Sequence, residues 1–298
     1  MSKQPRFKGW VNDPAKVEAV MNTLPFPVFG EIRSPIKDTG KGQEMFLYDI
    51  ISKVAGKFPS RTQTIGDCVS MGAAYAIDAI KAVDIYLNKD FEEWVSETAT
   101  EDIYGGSRVV IGQGQLGNDD GSLGAWIAKY INEYGTLTRK KYGNIDLSTY
   151  DGNRAKAWGS SGVPQDLVAI EKEHKVITVS QVNTYEECRD LIVNGYGVTV
   201  ASDQGFSERR DDDGFSKTKG SWMHQMSILG VDDKYKRPGV LVQNSWGAWN
   251  GGPKRHNQPD GSFWVDAEVI ERMLSQGDSW AFSGYNGFKP QKLTTRII

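Results

Sequence analysis

Three side chains of this chain have the types and the local settings to do covalent chemistry together. Cys68 follows Gln63-Thr64-Ile65-Gly66-Asp67 and opens a stretch of helical periodicity. His224 stands in Ser221-Trp222-Met223-His224-Gln225-Met226, just ahead of an apolar run, and Asn244 ends one in Val242-Gln243-Asn244-Ser245-Trp246-Gly247. A thiolate rather than a thiol attacks a carbonyl carbon, and a helix N-terminus and an imidazolium both lower a thiol pKa. A histidine within hydrogen-bond reach acts first as base and then as acid toward a leaving amine. A side-chain amide oxygen that accepts from the far ring nitrogen fixes the tautomer and the ring orientation. The Cys68 backbone N–H and Gln63 would be the donors for a developing oxyanion. Taken singly, each residue has a plainer reading: a free cysteine is usually a small core hydrophobe, and Asn-Ser-Trp-Gly alone is a turn with an aromatic anchor. Order, flanking chemistry and element context give the set its meaning.

The elements that must position them are legible in outline. A short helix is expected from residue 13 to about 24, with Asp13 as cap and Pro14 at the first position. Pro25, Pro27, Gly30, Pro35, Gly40 and Gly42 follow, an extended arm that reads either as a wrap over the body or as a docking or plug segment. Over 64–89, Val69, Ala73, Ile77 and Ile80 fall on one helical face, with Asp67 as N-cap and Cys68 in the first turn. Leu123, Trp126, Ile127, Tyr130, Ile131 and Tyr134 form a second stripe, with Ser122 as cap and Gly135 as stop. Residues 197–201, 226–231 and 240–244 read as strands, and 266–274 as a last helix closed by Gly277. Cys188 lies in a helical segment and reads as core. Helices first and strands later predict an α+β protein of two lobes.

At these residues the sequence resembles the papain-like cysteine peptidases, as a divergent member. That family places a Gln before a Gly-x-Cys helix start, a His ahead of an apolar strand, and an Asn within Asn-Ser-Trp-Gly. Asn118-Asp119-Asp120-Gly121-Ser122, the amphipathic helix and Tyr134-Gly135-Thr136 are similar to the family's middle section. So are Asn194-Gly195-Tyr196-Gly197-Val198-Thr199-Val200 and Gly261-Ser262-Phe263-Trp264-Val265. The resemblance spans residues 60 to 270. It implies a helical lobe and an antiparallel β-barrel-like lobe with the active-site cleft between them. Cys68 would be the nucleophile, His224 the general base and acid, Asn244 the orienter, and Trp246 an apolar shield over the Asn–His bond. Gln63 would be the oxyanion donor, standing five residues before the cysteine where the family has six. Val69 stands where the family often has Trp, and Asp67 sets a carboxylate beside the nucleophile, which opposes thiolate formation unless its charge goes into capping. The implied layout is an N-terminal arm over 1–59, a peptidase domain over 60–275 (helical lobe 60–145, β lobe 146–275) and a tail over 276–298.

The implied activity is hydrolysis of peptide or protein substrates through an acyl-enzyme. Two alternatives stay open. One is a non-catalytic structural or binding protein of this fold, assembling through the arm, for example in a virion. The other is an amidase or acyl transferase using the same three residues. Lys+Arg of 35 against Asp+Glu of 38 gives a net charge of -3 and no broadly basic nucleic-acid face. No apolar run reaches the ~20 residues of a membrane span. The polar start, the two cysteines and the lack of Asn-x-Ser/Thr sites predict no secretory signal and a cytoplasmic or other reducing compartment. No cofactor and no metal are expected, since His174 and His256 have no ligand spacing with the cysteines. Gly112-Gln113-Gly114-Gln115-Leu116-Gly117 reads as a surface loop, Asp211-Asp212-Asp213 as a solvated turn, and Arg139-Lys140-Lys141 as a solvated helix exit.

Overall fold

The computed structural model describes residues 7, 9–24, 36–87 and 94–285. The 25–35 part of the expected arm lies outside them, as does the end of the 64–89 helix beyond residue 87. Helix α1 (Pro14–Met21) begins as its sequence dictates: Pro14 occupies the first position, and the Asp13 carboxylate accepts the Lys16 backbone N–H at 3.1 Å. Strand β1 (Glu44–Phe46) leads into α2 (Leu47–Ala55), which stops at Gly56 with φ +77°.

Helix α3 (Cys68–Leu87) is the spine of the molecule. Residues 68–84 are buried on every side, as befits a helix rich in alanine and apolar all round. One face (Tyr75, Ala79, Ala82, Val83) joins the core of the sheet. Another (Cys68, Val69, Ala73, Ile77, Ile80) joins a second core with Trp10, Leu123, Trp126 and Trp280. Of its two buried acids, Asp78 and Asp84, Asp78 is held by the Arg61 guanidinium at 2.6 Å and by Lys81 at 3.4 Å.

On the helical side follow α4 (Glu101–Gly106), a π-type turn (Ser107–Ile111), α5 (Gly124–Glu133) and the two-residue strands β2 (Lys141–Tyr142) and β3 (Ile145–Asp146). Helices α6 (Gly152–Ser161) and α7 (Gln165–Glu171) pack here too. The Arg108 Nε donates to Gly159 O at 2.9 Å, and Gly105 has Trp158 so close that a Cβ would meet it at 2.8 Å. The helical half therefore runs on past residue 145.

The other half is an antiparallel sheet. Strands β4 (Val176–Gln181), β5 (Gly197–Arg210), β6 (Ser216–Asp232), β7 (Gly239–Gln243), β8 (Ser262–Asp266) and β9 (Trp280–Tyr285) stand in the order β4-β9-β5-β6-β7-β8, with β1 paired to β6. The expected runs 197–201, 226–231 and 240–244 fall inside β5, β6 and β7, but β5 and β6 extend well beyond them into a long hairpin. Asp211-Asp212-Asp213 makes its turn, with Asp211 Oδ1 accepting the Asp213 and Phe215 N–H groups. The sheet is open, with β4 and β8 as its edges, so the lobe is barrel-like without closure. Helices α8 (Tyr185–Val193) and α9 (Ala267–Leu274) pack on it, and Cys188 is fully buried in that core.

Two stretches outside the expected domain are integral to this half. Glu44, Met45 and Phe46 pair with Asp232, Val231 and Gly230, and α2 buries Leu47, Tyr48, Ile50 and Ile51. Strand β9 lies between β4 and β5, burying Trp280, Ala281 and Phe282. The apolar density of these segments requires burial, which a loose arm or tail would not supply.

Candidate active site

The register of β6 against its neighbours brings His224 and Asn244 together. Ser227 pairs with Gln243 at the end of β7, so Asn244 follows beside Met226 and its side chain reaches diagonally to His224, two residues further back along β6. The His224 Nε2 and Asn244 Oδ1 are 2.9 Å apart, and both residues are buried. The same Asn244 oxygen accepts the Ser245 N–H at 2.7 Å, which fixes the amide. Trp246 covers the pair, its ring centroid 4.6 Å from that of His224. Cys68 comes from the opposite half, at the first residue of α3. Its Sγ accepts the backbone N–H of Gln225, the residue after His224, at 3.4 Å, and the Gln225 Nε2 donates to Val69 O at 3.0 Å. The helix start and the strand are thus stitched together at the cysteine and the histidine.

Gln63 also reaches this place, on the segment leading to α3. Its N–H donates to Ser245 O at 2.9 Å, its side-chain oxygen accepts from Ser245 Oγ at 2.5 Å, and its Nε2 donates to Ile65 O at 2.8 Å and more weakly to Phe7 O at 3.4 Å. Asp67 departs from its expected role. Its backbone carbonyl takes the Ser70 and Met71 N–H groups, yet its side chain does not cap the helix. Oδ2 accepts from the Tyr150 hydroxyl at 2.9 Å, and Oδ1 is buried with no hydrogen-bond partner. Burial pushes this carboxyl up to about 8, the Tyr150 bond opposing it and the charges of Glu101 and Asp120 adding to it. Burial likewise pushes the Cys68 thiol up to about 12; the Gln225 N–H pulls it down, Asp67 pushes it further, and the Gly9 N–H pulls it down again.

That last donor belongs to the arm, which lies across the site. The Gly9 and Trp10 N–H groups donate to Met223 O at 3.1 and 3.2 Å. On the opposite wall, Ser122 N–H donates to Gly9 O at 2.8 Å and Val11 N–H donates to Ser122 O at 3.0 Å. Phe7 O accepts from the Trp246 indole at 3.1 Å. Gly9 is obligatory here, since a Cβ would stand 1.9 Å from Gly66 O. Gly121, at φ +119°, faces Gly9 in turn: a Cβ there would stand 2.8 Å from Gly9 O. The described residues 7 and 9–11 thus bond to Trp246, Met223 and Ser122 around Cys68 and His224.

The arm also exposes a residue that sequence reasoning missed. Asp278, two residues ahead of β9 and buried, accepts four N–H groups: Gly124 at 2.7 Å, Ala125 at 2.7 Å, the Trp280 indole at 2.9 Å and the Trp10 indole at 2.8 Å. It supplies the cap of α5 that Ser122 was expected to provide. Ser122 Oγ instead pairs with Ser107 Oγ at 3.0 Å. Burial pushes the Asp278 carboxyl up to about 6 against those donors. The local sequence does not mark it, because three of the four groups it joins are about 150 or 268 residues away in the chain.

The other singled-out residues lie elsewhere. Arg139 is not solvated: it is buried against Glu101, at 2.5 Å, and Thr100. The glycine-rich loop at 112–117 follows the π-type turn rather than a strand and stops short of α5. His174 stacks on Tyr285. His256, Asp232 and Glu44 come close enough to share an ion. The Asp232 oxygens are, however, already engaged by Arg255, His256 and the Lys234 and Tyr235 N–H groups. Among the described residues no helix is long and apolar enough to cross a membrane.

No protein-family model matches this chain, and no curated protein matches it by sequence. Solved structures do match. Xylellain, a cysteine protease from Xylella fastidiosa, is 17% identical with a TM-score of 0.56, over 94% of this chain and 98% of that one. The proCathepsin B S9 of Trypanosoma congolense is 12% identical with a TM-score of 0.51, over 93% and 86%. At these identities the likeness speaks for architecture: helices on one side, an open antiparallel sheet on the other, and a central helix between them. The chain has the fold of the papain-like cysteine proteases.

Proposed function

We propose that this chain is a cysteine peptidase whose cleft is closed by its own N-terminal arm. The observation that carries the reading is the meeting of Cys68, at the start of α3, with the β6 backbone beside a buried His224–Asn244 pair. With His224 Nε2 donating to Asn244, the nitrogen that exchanges a proton with the thiol is Nδ1. The thiolate adds to the scissile carbonyl, the Cys68 N–H and Gln63 Nε2 hold the oxyanion, and His224 returns the proton to the departing amine. Water then cleaves the thioester, His224 taking its proton. Trp246 keeps water from the His–Asn bond. An amidase or acyl transferase would use the same steps on another acceptor.

In the closed state the thiol is protonated and covered, so the full chain is expected to be latent. The test is hydrolysis of a mixed peptide pool by the full chain, by Trp10→Ala and by Trp10→Ala with Cys68→Ala. The expected result is slow, faster and absent cleavage in that order. Cleavage that survives Cys68→Ala overturns the mechanism.

A second reading has its own support. A carboxylate buried beside the thiol suits a fold kept for binding rather than hydrolysis. If Trp10→Ala hydrolyses nothing while Cys68 still titrates as an ordinary thiol, this reading prevails.

A further inference from the structure

Cys68 reaches the site on a segment tied to the Asn244 side: Gln63 N–H donates to Ser245 O at 2.9 Å, and Gly247 N–H donates to Arg61 O at 3.1 Å. On the His224 side the tie is made by Gln225. Its N–H donates to Cys68 Sγ at 3.4 Å and its Nε2 donates to Val69 O at 3.0 Å, so it bonds two successive residues at the start of α3. The register of the sheet leaves that N–H available. Gln225 pairs with Ala201 of β5, and β7 joins β6 only from Ser227 onward, so the residue-225 N–H lies beyond the β7 ladder. The side chain is 1% exposed, and two helices leave room for it. A Cβ on Gly124, the first residue of α5, would stand 2.9 Å from Gln225 Oε1; one on Gly72 of α3 would stand 3.4 Å from Gln225 Cγ and 3.2 Å from Met226 O. Gln225 Oε1 has no hydrogen-bond partner among the described residues. A buried acceptor left without a donor is costly, so packing alone does not account for an amide here. Its donor end does.

We propose that Gln225 is a positioning residue of this site: its amide clamps the first turn of α3 to β6, which holds Cys68 Sγ against the residue-225 N–H and beside His224. For hydrolysis this rests on the peptidase reading; for the state of the thiol it does not. The chemistry follows from the charge on sulphur. A thiol is a weak acceptor and a thiolate a strong one, so an N–H kept at Sγ favours the anion. Burial pushes the Cys68 thiol up, and the Gln225 N–H is the largest of the groups that pull it back down. That bond forms only while the helix start stays at the right distance from the strand, and the Nε2 bond to Val69 O is what the side chain adds to fix it. His224 is the preceding residue on the same strand. One clamp therefore sets the sulphur against both its donor and the imidazole.

The test takes the full chain carrying Trp10→Ala as parent and adds Gln225→Met, which keeps the length of the side chain and removes the amide donor. Iodoacetamide labelling of Cys68 is followed by mass spectrometry from pH 5 to pH 10. The Met variant is expected to show a labelling pKa about one unit higher, and so about tenfold slower labelling below it, with Cys188 unchanged. A side chain with a merely structural role would lower the urea midpoint and leave the labelling profile where it was. Equal profiles overturn the inference. Should Gln225→Met fail to fold, Gln225→Glu decides, because its buried carboxyl donates to Val69 O while protonated and not once ionised. Labelling that matches the parent at pH 5 and falls about tenfold behind it by pH 8 supports the clamp; labelling that matches at both overturns it. Hydrolysis of the peptide pool separates the two claims. A parent that cleaves nothing yet labels ahead of the Met variant removes the peptidase reading and keeps the clamp. Equal cleavage and equal labelling in the two remove the clamp and keep the peptidase.

Discussion

Helices α3 and α5 both begin beside a buried aspartate, and the two starts are built in opposite ways. At α5 the acid arrives from far along the chain: Asp278 meets the Gly124 and Ala125 N–H groups and two indoles, so its charge is spread over four donors at the positive end of a helix. At α3 the acid is the adjacent residue, Asp67. It turns away from the helix to a tyrosine, leaving one oxygen unpartnered. Both are buried, yet burial pushes the first up only to about 6 and the second up to about 8. A carboxylate is stabilised by the donors that reach it, and adjacency in sequence does not supply them. The start that carries Cys68 is the one left electrostatically unfavourable, and the start at α5 is satisfied.

The contrast is sharpened most by Asp278→Ala. Removing the acceptor orphans two helix N–H groups and two indoles, and a loss on the order of 3–5 kcal/mol is expected in guanidinium unfolding at pH 7. A loss below about 1 kcal/mol would mean that the cap is dispensable.

The next effect belongs to Asp67→Asn. Its folded value of about 8 exceeds the roughly 4 of an unfolded aspartate. The wild type therefore has this contribution in full below about pH 4 and loses it as pH rises toward 8. The amide variant should flatten the stability curve over that window, an effect read in urea midpoints taken at each pH. Asp278, at about 6, has the same sign over the narrower span from 4 to 6.

Smaller again is the response of the thiols to opening the arm. Trp10→Ala should raise the iodoacetamide labelling rate of Cys68 by about tenfold. Cys188, buried in the sheet core with its thiol pushed up by burial, should not change. Mass spectrometry of the two peptides reads both at once, and equal acceleration would mean general loosening. The smallest effect is expected from Ser122→Ala, under about 1 kcal/mol, because its hydroxyl bonds Ser107 instead of a helix N–H. A cost above that would return the cap to Ser122.

How much of this was legible in the sequence follows the range of the forces involved. Local rules placed α1, α3, α5 and the three core strands, since apolar period, Pro14 and Gly135 act within a few residues. They put Cys68 at the start of α3 and Asn244 at the end of β7 for the same reason, while His224, expected just ahead of a strand, lies within the longer β6. They failed where the partner is distant. Ser122 looked like a cap until Asp278 displaced it. Asp67 looked like a cap until Tyr150 took its oxygen. Arg139 looked solvated until Glu101 buried it. Residues 44–55 and 280–285 looked peripheral because a β1–β6 or β9–β5 pairing leaves no mark on either strand alone.

Gly9 carries one more consequence. With Gly66 O standing where its Cβ would be, Gly9 sits in a notch that only a residue without a side chain enters. A slip of one position in either direction would bring a side chain against that carbonyl. The arm is thus indexed: it seats in one register or not at all, and Trp10 meets Asp278 only in that register. Closure of this cleft should accordingly behave as a digital event, with no ladder of partly shifted states between seated and released.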